Sequence, residues 1–271
     1  MKLIEQKLPA KHKTIEIEIF ADLHIGSKKC NMSLINERIK RVKENDNVYC
    51  ILLGDIINNS TKTSVGDVYE EPLSPMEQMK LACSLFEPIK DKILAITAGN
   101  HERRSYRTEG TDLTWFLARQ LGKEDCYDYA ACVLLVRFGA NTRHTKASKK
   151  GYEYRPTTYS LYISHGDGQG GITMGAKANG LQRRGSIIDA DVIVTGHTHQ
   201  PLTFRTMEYR IRTNGIPHIE EHEQVYVNAS STLEYEEYAE IKGMRPSSVK
   251  SPVIVLYSGL PQGKRLIDVR L

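Results

Sequence analysis

This chain of 271 residues predicts an α/β fold built on mixed β-sheets, and three patterns carry that prediction. Strand-like and helix-like periodicities alternate through the first half. Beyond Pro201 almost every ordered pattern is a strand, so parallel and antiparallel pairs have to coexist. Five apolar runs also end abruptly in polar side chains, which places those groups in loops along one rim of a sheet.

Residues 14–20 (TIEIEIF) alternate strictly and read as a strand. Over 33–44, Ile35, Ile39 and Val42 recur at helical spacing. Residues 48–53 (VYCILL) form a fully apolar strand, and the polar stretch 59–75, with Pro72 and Pro75, reads as a loop. From Pro75 to Lys90 a helix face is marked by Met79, Cys83, Phe86 and Ile89, with Ser74 as N-cap and Glu77 three residues on. A strand follows at 92–97 and a short amphipathic helix at 111–121, carrying Leu113, Phe116, Leu117 and Leu121.

Residues 130–138 and 157–164 predict a strand pair, joined by a polar, basic segment that is either a hairpin tip or a mobile loop. Residues 173–188 read as helical, although Gly175, Gly180 and Gly185 weaken the pattern. Strands are expected at 191–195, 202–212, 224–230, 252–258 and 265–271. With no internal repeat, linker or low-complexity stretch, a single domain over 1–271 is the simplest organisation.

Composition bounds the possibilities. Apolar residues at 40% and charged residues at 26% are those of a globular protein with a sizeable core. The net charge of +4 admits an anionic substrate without demanding nucleic acid. Five cysteines, an odd number with no CxxC pair, point to a reducing compartment rather than a disulfide framework. The N-terminal residues show no signal-peptide core, and no stretch reaches transmembrane length. A cytoplasmic protein with no membrane partner is expected.

The five strand ends read FADLHIG, LLGDIIN, AGNHE, SHGDG and TGHTHQP. They carry Asp22, His24, Asp55, Asn100, His101, His165, His197 and His199, enough ligands for two metal ions side by side. Taken singly, each motif is commonly a polar turn. Together they differ, because five of the nine histidines (His24, His101, His165, His197, His199) stand just beyond predicted strands. Imidazoles and carboxylates crowded on one rim need a compensating charge.

In this order, the DLH, GDIIN, GNHE, SHGD and GHTH blocks resemble the calcineurin-like metallophosphoesterase family, in a stand-alone bacterial or phage form with similarity to its repair-nuclease branch. The resemblance spans residues 22–199 and all five blocks. It implies a four-layer αββα sandwich, two mixed β-sheets face to face, with a dinuclear metal site at the strand ends. It also implies that Asp22, His24 and His199 hold one ion, that Asn100, His165 and His197 hold the other, and that Asp55 bridges them. His101 matches the family's catalytic histidine. Glu102 is expected to orient its loop, and Asn58 to brace the GDIIN block.

The reaction class follows. Two cations about 3.5–4 Å apart share one water and bring its pKa towards neutrality, and the hydroxide attacks phosphorus in line with the leaving oxygen. His101 stabilises the transition state and protonates the leaving group, a step worth about 10²–10⁴-fold. A bracing role is its alternative, and the motif match favours catalysis. Imidazole, carboxylate and amide ligands suit manganese, with iron, zinc, cobalt and nickel open.

The leading substrate class is a phosphate diester, which makes the chain a phosphodiesterase or nuclease. Arg103, Arg104 and Arg107 follow the GNHE block, Arg183 and Arg184 precede the last motif, and Lys146, Lys149 and Lys150 crowd the basic segment. Such groups suit a nucleic-acid or nucleotide phosphate, and Tyr106, Tyr152 and Tyr154 suit base stacking. The same residues equally suit a solvated surface. The alternatives are a phosphomonoesterase and a non-catalytic scaffold of the same fold. The acidic stretches 219–223 and 234–240 read as solvated faces rather than a subunit contact, and the oligomeric state is open.

Overall fold

The computed structural model describes residues 1–61, 64, 71–141, 155–166, 173–213, 216–235, 246–259 and 265–271. In chain order its elements begin with β1 (Lys2–Lys7), β2 (Thr14–Phe20), α1 (Met32–Glu44), β3 (Val48–Leu53), α2 (Pro75–Phe86), β4 (Ile93–Thr97), α3 (Asn100–Glu109), α4 (Leu113–Gln120) and β5 (Tyr127–Asp128). They continue with β6 (Ala131–Asn141), β7 (Arg155–Ser164), α5 (Met174–Gly185), β8 (Val192–Thr195), β9 (Leu202–Arg212), β10 (His218–Asn228), β11 (Val253–Tyr257) and β12 (Ile267–Arg270).

The strands form two six-stranded sheets, in the orders β1-β6-β7-β8-β10-β9 and β12-β11-β2-β3-β4-β5. Both are mixed. β2, β3, β4 and β5 run parallel, with β11 antiparallel to β2 and to β12. In the other sheet β7, β8 and β10 run parallel, while the β6–β7 and β9–β10 pairs are antiparallel.

The alternation of β2 decides how the layers stack. Ile15, Ile17 and Ile19 point into the space between the sheets, where they join Ile51, Leu53, Leu134, Tyr159, Leu161 and Val194. Glu16 and Glu18 point the other way, and α1 meets them with Arg38 and Arg41. β3 reads as apolar throughout because both its faces are covered: Ile51 and Leu53 face the opposite sheet, while Cys50 and Leu52 face the helices. On that outer side α1, α2 and α4 bury Ile35, Ile39, Met79, Phe86, Leu113 and Leu117. On the other sheet α5 packs Leu181 against Ile193 and Tyr226. The outcome is an αββα stack of four layers.

Local chemistry sets the helix limits. Ser74 and Glu77 form a reciprocal capping box, and α2 stops at Phe86, where Pro88 helps convert the chain into a 3-10 turn. Three elements depart from the sequence expectations. β1 is an additional strand, ordered by its parallel pairing to β6. The GNHE block is no loop: α3 starts on Asn100 itself, with Gly99 as N-cap. The acidic stretch 219–223 lies inside β10, which begins six residues earlier than its pattern suggested. Among the described residues no helix is long and apolar enough to cross a membrane.

Candidate metal centre

Parallel pairing brings the motifs together. The C-terminal ends of β2, β3 and β4 lie side by side, as do those of β7 and β8 in the facing sheet, so segments far apart in sequence meet at one edge. Asp22 and His24 follow β2, Asp55 follows β3, Asn100 and His101 open α3 after β4, His165 follows β7, and His197 and His199 follow β8.

The backbone there is unusual. Asp22, His24, Asp55, Asn59, His197 and His199 have left-handed φ values between 43° and 67°. Each costs about 1 kcal/mol or more, and Asn, Asp and His tolerate it best among non-glycine residues. Five of the six are candidate ligands, so the strain sits where the side chains must converge. Gly54 and Gly99 make the approach of the second and third loops possible. A Cβ on Gly99 would lie 2.1 Å from Asp55 N, and one on Gly54 would lie 2.4 Å from Gly99 N.

The side chains converge in three overlapping groups: Asp22, His24 and His199; Asp55, His165 and His197; and His24, Asp55 and His101. Asp22 Oδ1 lies 3.3 Å from His199 Nε2 and 3.9 Å from His165 Nε2. Asp55 Oδ2 lies 3.3 Å from His165 Nε2, 3.8 Å from His101 Nε2 and 4.0 Å from His24 Nε2. Asn100 Oδ1 is 3.1 Å from His165 Nε2, and His24 Nε2 is 3.3 Å from His199 Nε2.

Three of the imidazoles are fixed from behind. His24 Nδ1 donates to Asn58 Oδ1 (3.1 Å), His101 Nδ1 to Asn58 O (2.5 Å) and His165 Nδ1 to Leu53 O (2.7 Å), so that each Nε2 faces the cluster. Asn58 is oriented in turn by Glu71. Glu102 points away from the cluster. Its carboxylate accepts four backbone N–H bonds, from Asp55, Ile56, Ile57 and Gly99, at 2.7–3.1 Å. Burial and the charge of Asp55 push its pKa up to about 7, against the pull of those amides. Asn59, the left-handed residue that is no ligand candidate, donates to His101 O and Ser105 Oγ.

Polar bonds also tie the two sheets at this edge. His197 N donates to Asp22 Oδ2 (2.9 Å), Ser231 Oγ to Asp22 O (2.8 Å) and Thr232 Oγ1 to Leu23 O (3.1 Å).

Charge is distributed unevenly. Burial works to raise the carboxyls of Asp22 and Asp55, but the facing imidazoles, His199 and His165 for Asp22 and His165 and His101 for Asp55, outweigh it and hold both below the usual range. Burial and neighbouring positive charge lower His24 and His197, which favours their neutral form. Burial lowers His101 as well, with Arg104 adding to the effect. His165 is the exception: burial opposes its charge, yet Asp55 and Asp22 raise it to about 10.

Of the ten buried side-chain atoms that lack a hydrogen-bond partner among the described residues, two belong to this cluster, Asp22 Oδ1 and His197 Nδ1. An acceptor-only carboxylate oxygen and an imidazole nitrogen, orphaned in one cluster of anionic and imidazole donors, fit divalent cations.

The arginines diverge. Arg104 Nη2 donates to His101 Nε2 at 2.9 Å. Arg103 turns the other way, donating to Tyr129 O and lying over the Tyr129 ring. Arg183 is exposed on α5. Lys146, Lys149, Lys150, Tyr152 and Tyr154 lie outside the described residues. One cation near the cluster was missing from the sequence reading: Lys177 Nζ donates to Thr198 O, between His197 and His199, at 3.4 Å. Its position in a glycine-broken helical pattern gave no sign of this.

Solved structures with some likeness include Vps29 complexed with zinc from Entamoeba histolytica, 10% identical with a TM-score of 0.40, covering 94% of this chain and 98% of that one. A metallophosphoesterase from Sphaerobacter thermophilus is 12% identical with a TM-score of 0.39, covering 94% and 86%. A predicted phosphoesterase from Streptococcus pneumoniae is 11% identical with a TM-score of 0.34, covering 95% and 98%. Likenesses this distant say nothing about the site. No curated protein sequence matches the chain. Residues 16–201, most of the chain and all five motif-bearing strand ends, match the model of the calcineurin-like phosphoesterases. The chain belongs to the calcineurin-like phosphoesterase family, whose members hydrolyse phosphoesters with the help of metal ions.

Proposed function

We propose that this protein hydrolyses phosphate diesters, with nucleic acid or nucleotides as the substrate class, using two divalent cations of which manganese is the first choice. The observation that carries the diester reading is a cationic and aromatic shelf running from His101 along α3. Arg104 touches His101, and Tyr106, 48% exposed, packs at 5.0 Å centroid distance on Tyr129, which Arg103 covers. Such a surface suits the charged and stacked arm on one side of a diester phosphorus.

In this reading Asp22, His24 and His199 would hold one cation, Asn100, His165 and His197 would hold the other, and Asp55 would serve both. Such cations would supply Lewis-acid charge and acidify a water. His101 does the proton work of the chain itself. Anchored through Nδ1 to Asn58 O, it presents Nε2 to the cluster, and an anionic substrate raises its pKa. The imidazolium then holds a proton for the leaving oxygen. Arg104 donates to the unprotonated Nε2, so it has to give up that bond when His101 takes its proton.

The test compares bis-p-nitrophenyl phosphate with p-nitrophenyl phosphate in the presence of Mn²⁺, with Asp55→Ala as the blank. Faster diester cleavage, lost in the variant, is expected. Faster monoester cleavage shifts the assignment to a phosphomonoesterase, and no turnover with any divalent metal shifts it to a scaffold.

A further inference from the structure

The β9–β10 hairpin runs on past the body of its sheet. β8 pairs with β10 only over Val225–Asn228, so Thr206–Arg212 and His218–Gln224 continue as a two-stranded ribbon. A ribbon of two strands is marginal in water, and three or more strands with an apolar face are the usual remedy. Asp189 touches Arg210 and His222 on one face of this ribbon. The opposite face carries Met207, Tyr209, Ile211 and Ile219, which are 54%, 73%, 79% and 69% exposed. β9 is also the last strand of its sheet, eleven residues long and without a register shift. Long, regular, apolar edges pair with other strands unless something blocks them.

The sequence of that edge says what it pairs with. Around Tyr209 it reads Met-Glu-Tyr-Arg-Ile, apolar at both ends with opposite charges at mirrored positions. We propose that a second copy of this chain docks along β9, edge to edge and antiparallel, with the two-fold axis through Tyr209. Each Glu208 then faces Arg210 of the second copy, each Met207 faces Ile211, and the two Tyr209 side chains meet on the axis. Shifting the axis by one residue sets Glu208 against Glu208 or Arg210 against Arg210, so the charges select this register. The pairing builds a four-stranded ribbon, β10-β9-β9-β10, with both apolar stripes on one face. Glu208, whose partner within the chain is the cross-strand His222, gains a guanidinium. The axis lies seven residues along β9 from Leu202, about 24 Å from the loop that carries His199, so each copy keeps its own metal centre.

Sedimentation velocity and light scattering on the full chain at micromolar concentration test the pairing, with circular dichroism as the control for folding. A dimer is expected. Glu208→Arg alone, and Arg210→Glu alone, set like charges in register and raise the dissociation constant by more than about tenfold. The double swap Glu208→Arg/Arg210→Glu restores the dimer. Tyr209→Cys forms a disulfide-linked dimer on mild oxidation beyond any formed by the wild-type cysteines. A wild-type monomer at every concentration, a dimer indifferent to Glu208→Arg, or a double swap that stays folded and monomeric overturns the proposal, and a strand from another protein becomes the partner to seek.

Discussion

Asp55 and His199 belong to one cluster, yet they inhabit different surroundings. The Asp55 side chain is 1% exposed, and its loop is held by Glu102, by the close approach of Gly99 and by a bond from His101 N. The His199 side chain is 36% exposed, and among the described residues its Nε2 meets other candidate ligands, Asp22 and His24. The floor of the site, Asp22, Asp55 and His165, is built by the packed ends of the sheets. The rim, His199 and His101, reaches the solvent that substrate must cross. In the proposed reaction the floor would hold the charge and the rim would meet the substrate.

Substitutions can break this contrast. Asp55→Ala is expected to lower hydrolysis by more than about 10⁴-fold, since the acidified water depends on cations that Asp55 serves twice. Titration calorimetry should show metal binding lost with it. His199→Ala should lose less and recover at higher metal concentration; equal, unrescued losses would erase the distinction between floor and rim. His101→Ala should cost about 10²–10³-fold in kcat with the metal stoichiometry unchanged. A loss of bound metal instead would make His101 a ligand.

A stability measurement sharpens the same contrast. Glu102→Gln leaves one carbonyl oxygen where two carboxylate oxygens accept four amides. The expected cost is about 2–4 kcal/mol, or roughly 5–15 °C in Tm by calorimetry. A change under about 2 °C, the size expected of a surface substitution, would mean the floor is held by other contacts.

The smallest effect concerns protons. Asp55 and Asp22 raise His165 above the ordinary imidazole value, to about 10, so without a metal it is expected to be protonated at neutral pH. A cation has to displace that proton, so apparent metal affinity should rise with pH below 10, by about tenfold per unit if one proton leaves. Calorimetry in buffers of different ionisation enthalpy should count about one proton released near neutral pH. A count of zero would mean that His165 is neutral before metal arrives.

The candidate ligands were legible because each one is announced locally, by an apolar strand that ends in metal-type side chains. Ser74 and Glu77 were legible for the same reason, a cap being a four-residue affair. What the sequence hid depends on neighbours in space. Asn100 and His101 resemble a turn, and only the approach of Gly54 to Gly99 shows why a helix begins there. Arg103 and Arg104 are equivalent as letters. A helix turns about 100° per residue, which sends one to Tyr129 and the other to His101. The left-handed backbone of Asp22, His24, His197 and His199 carries no glycine to betray it.

The bonds that join the sheets beside the metal centre have a consequence for motion. His165 to Leu53, His197 to Asp22 and Ser231 to Asp22 link elements that could otherwise slide across an apolar interface. Shear between layers is a common way for enzymes to open, and here it would strip hydrogen bonds from the candidate metal ligands Asp22, His165 and His197. In the proposed reaction, substrate arrival and product departure would then have to occur without sliding one sheet over the other.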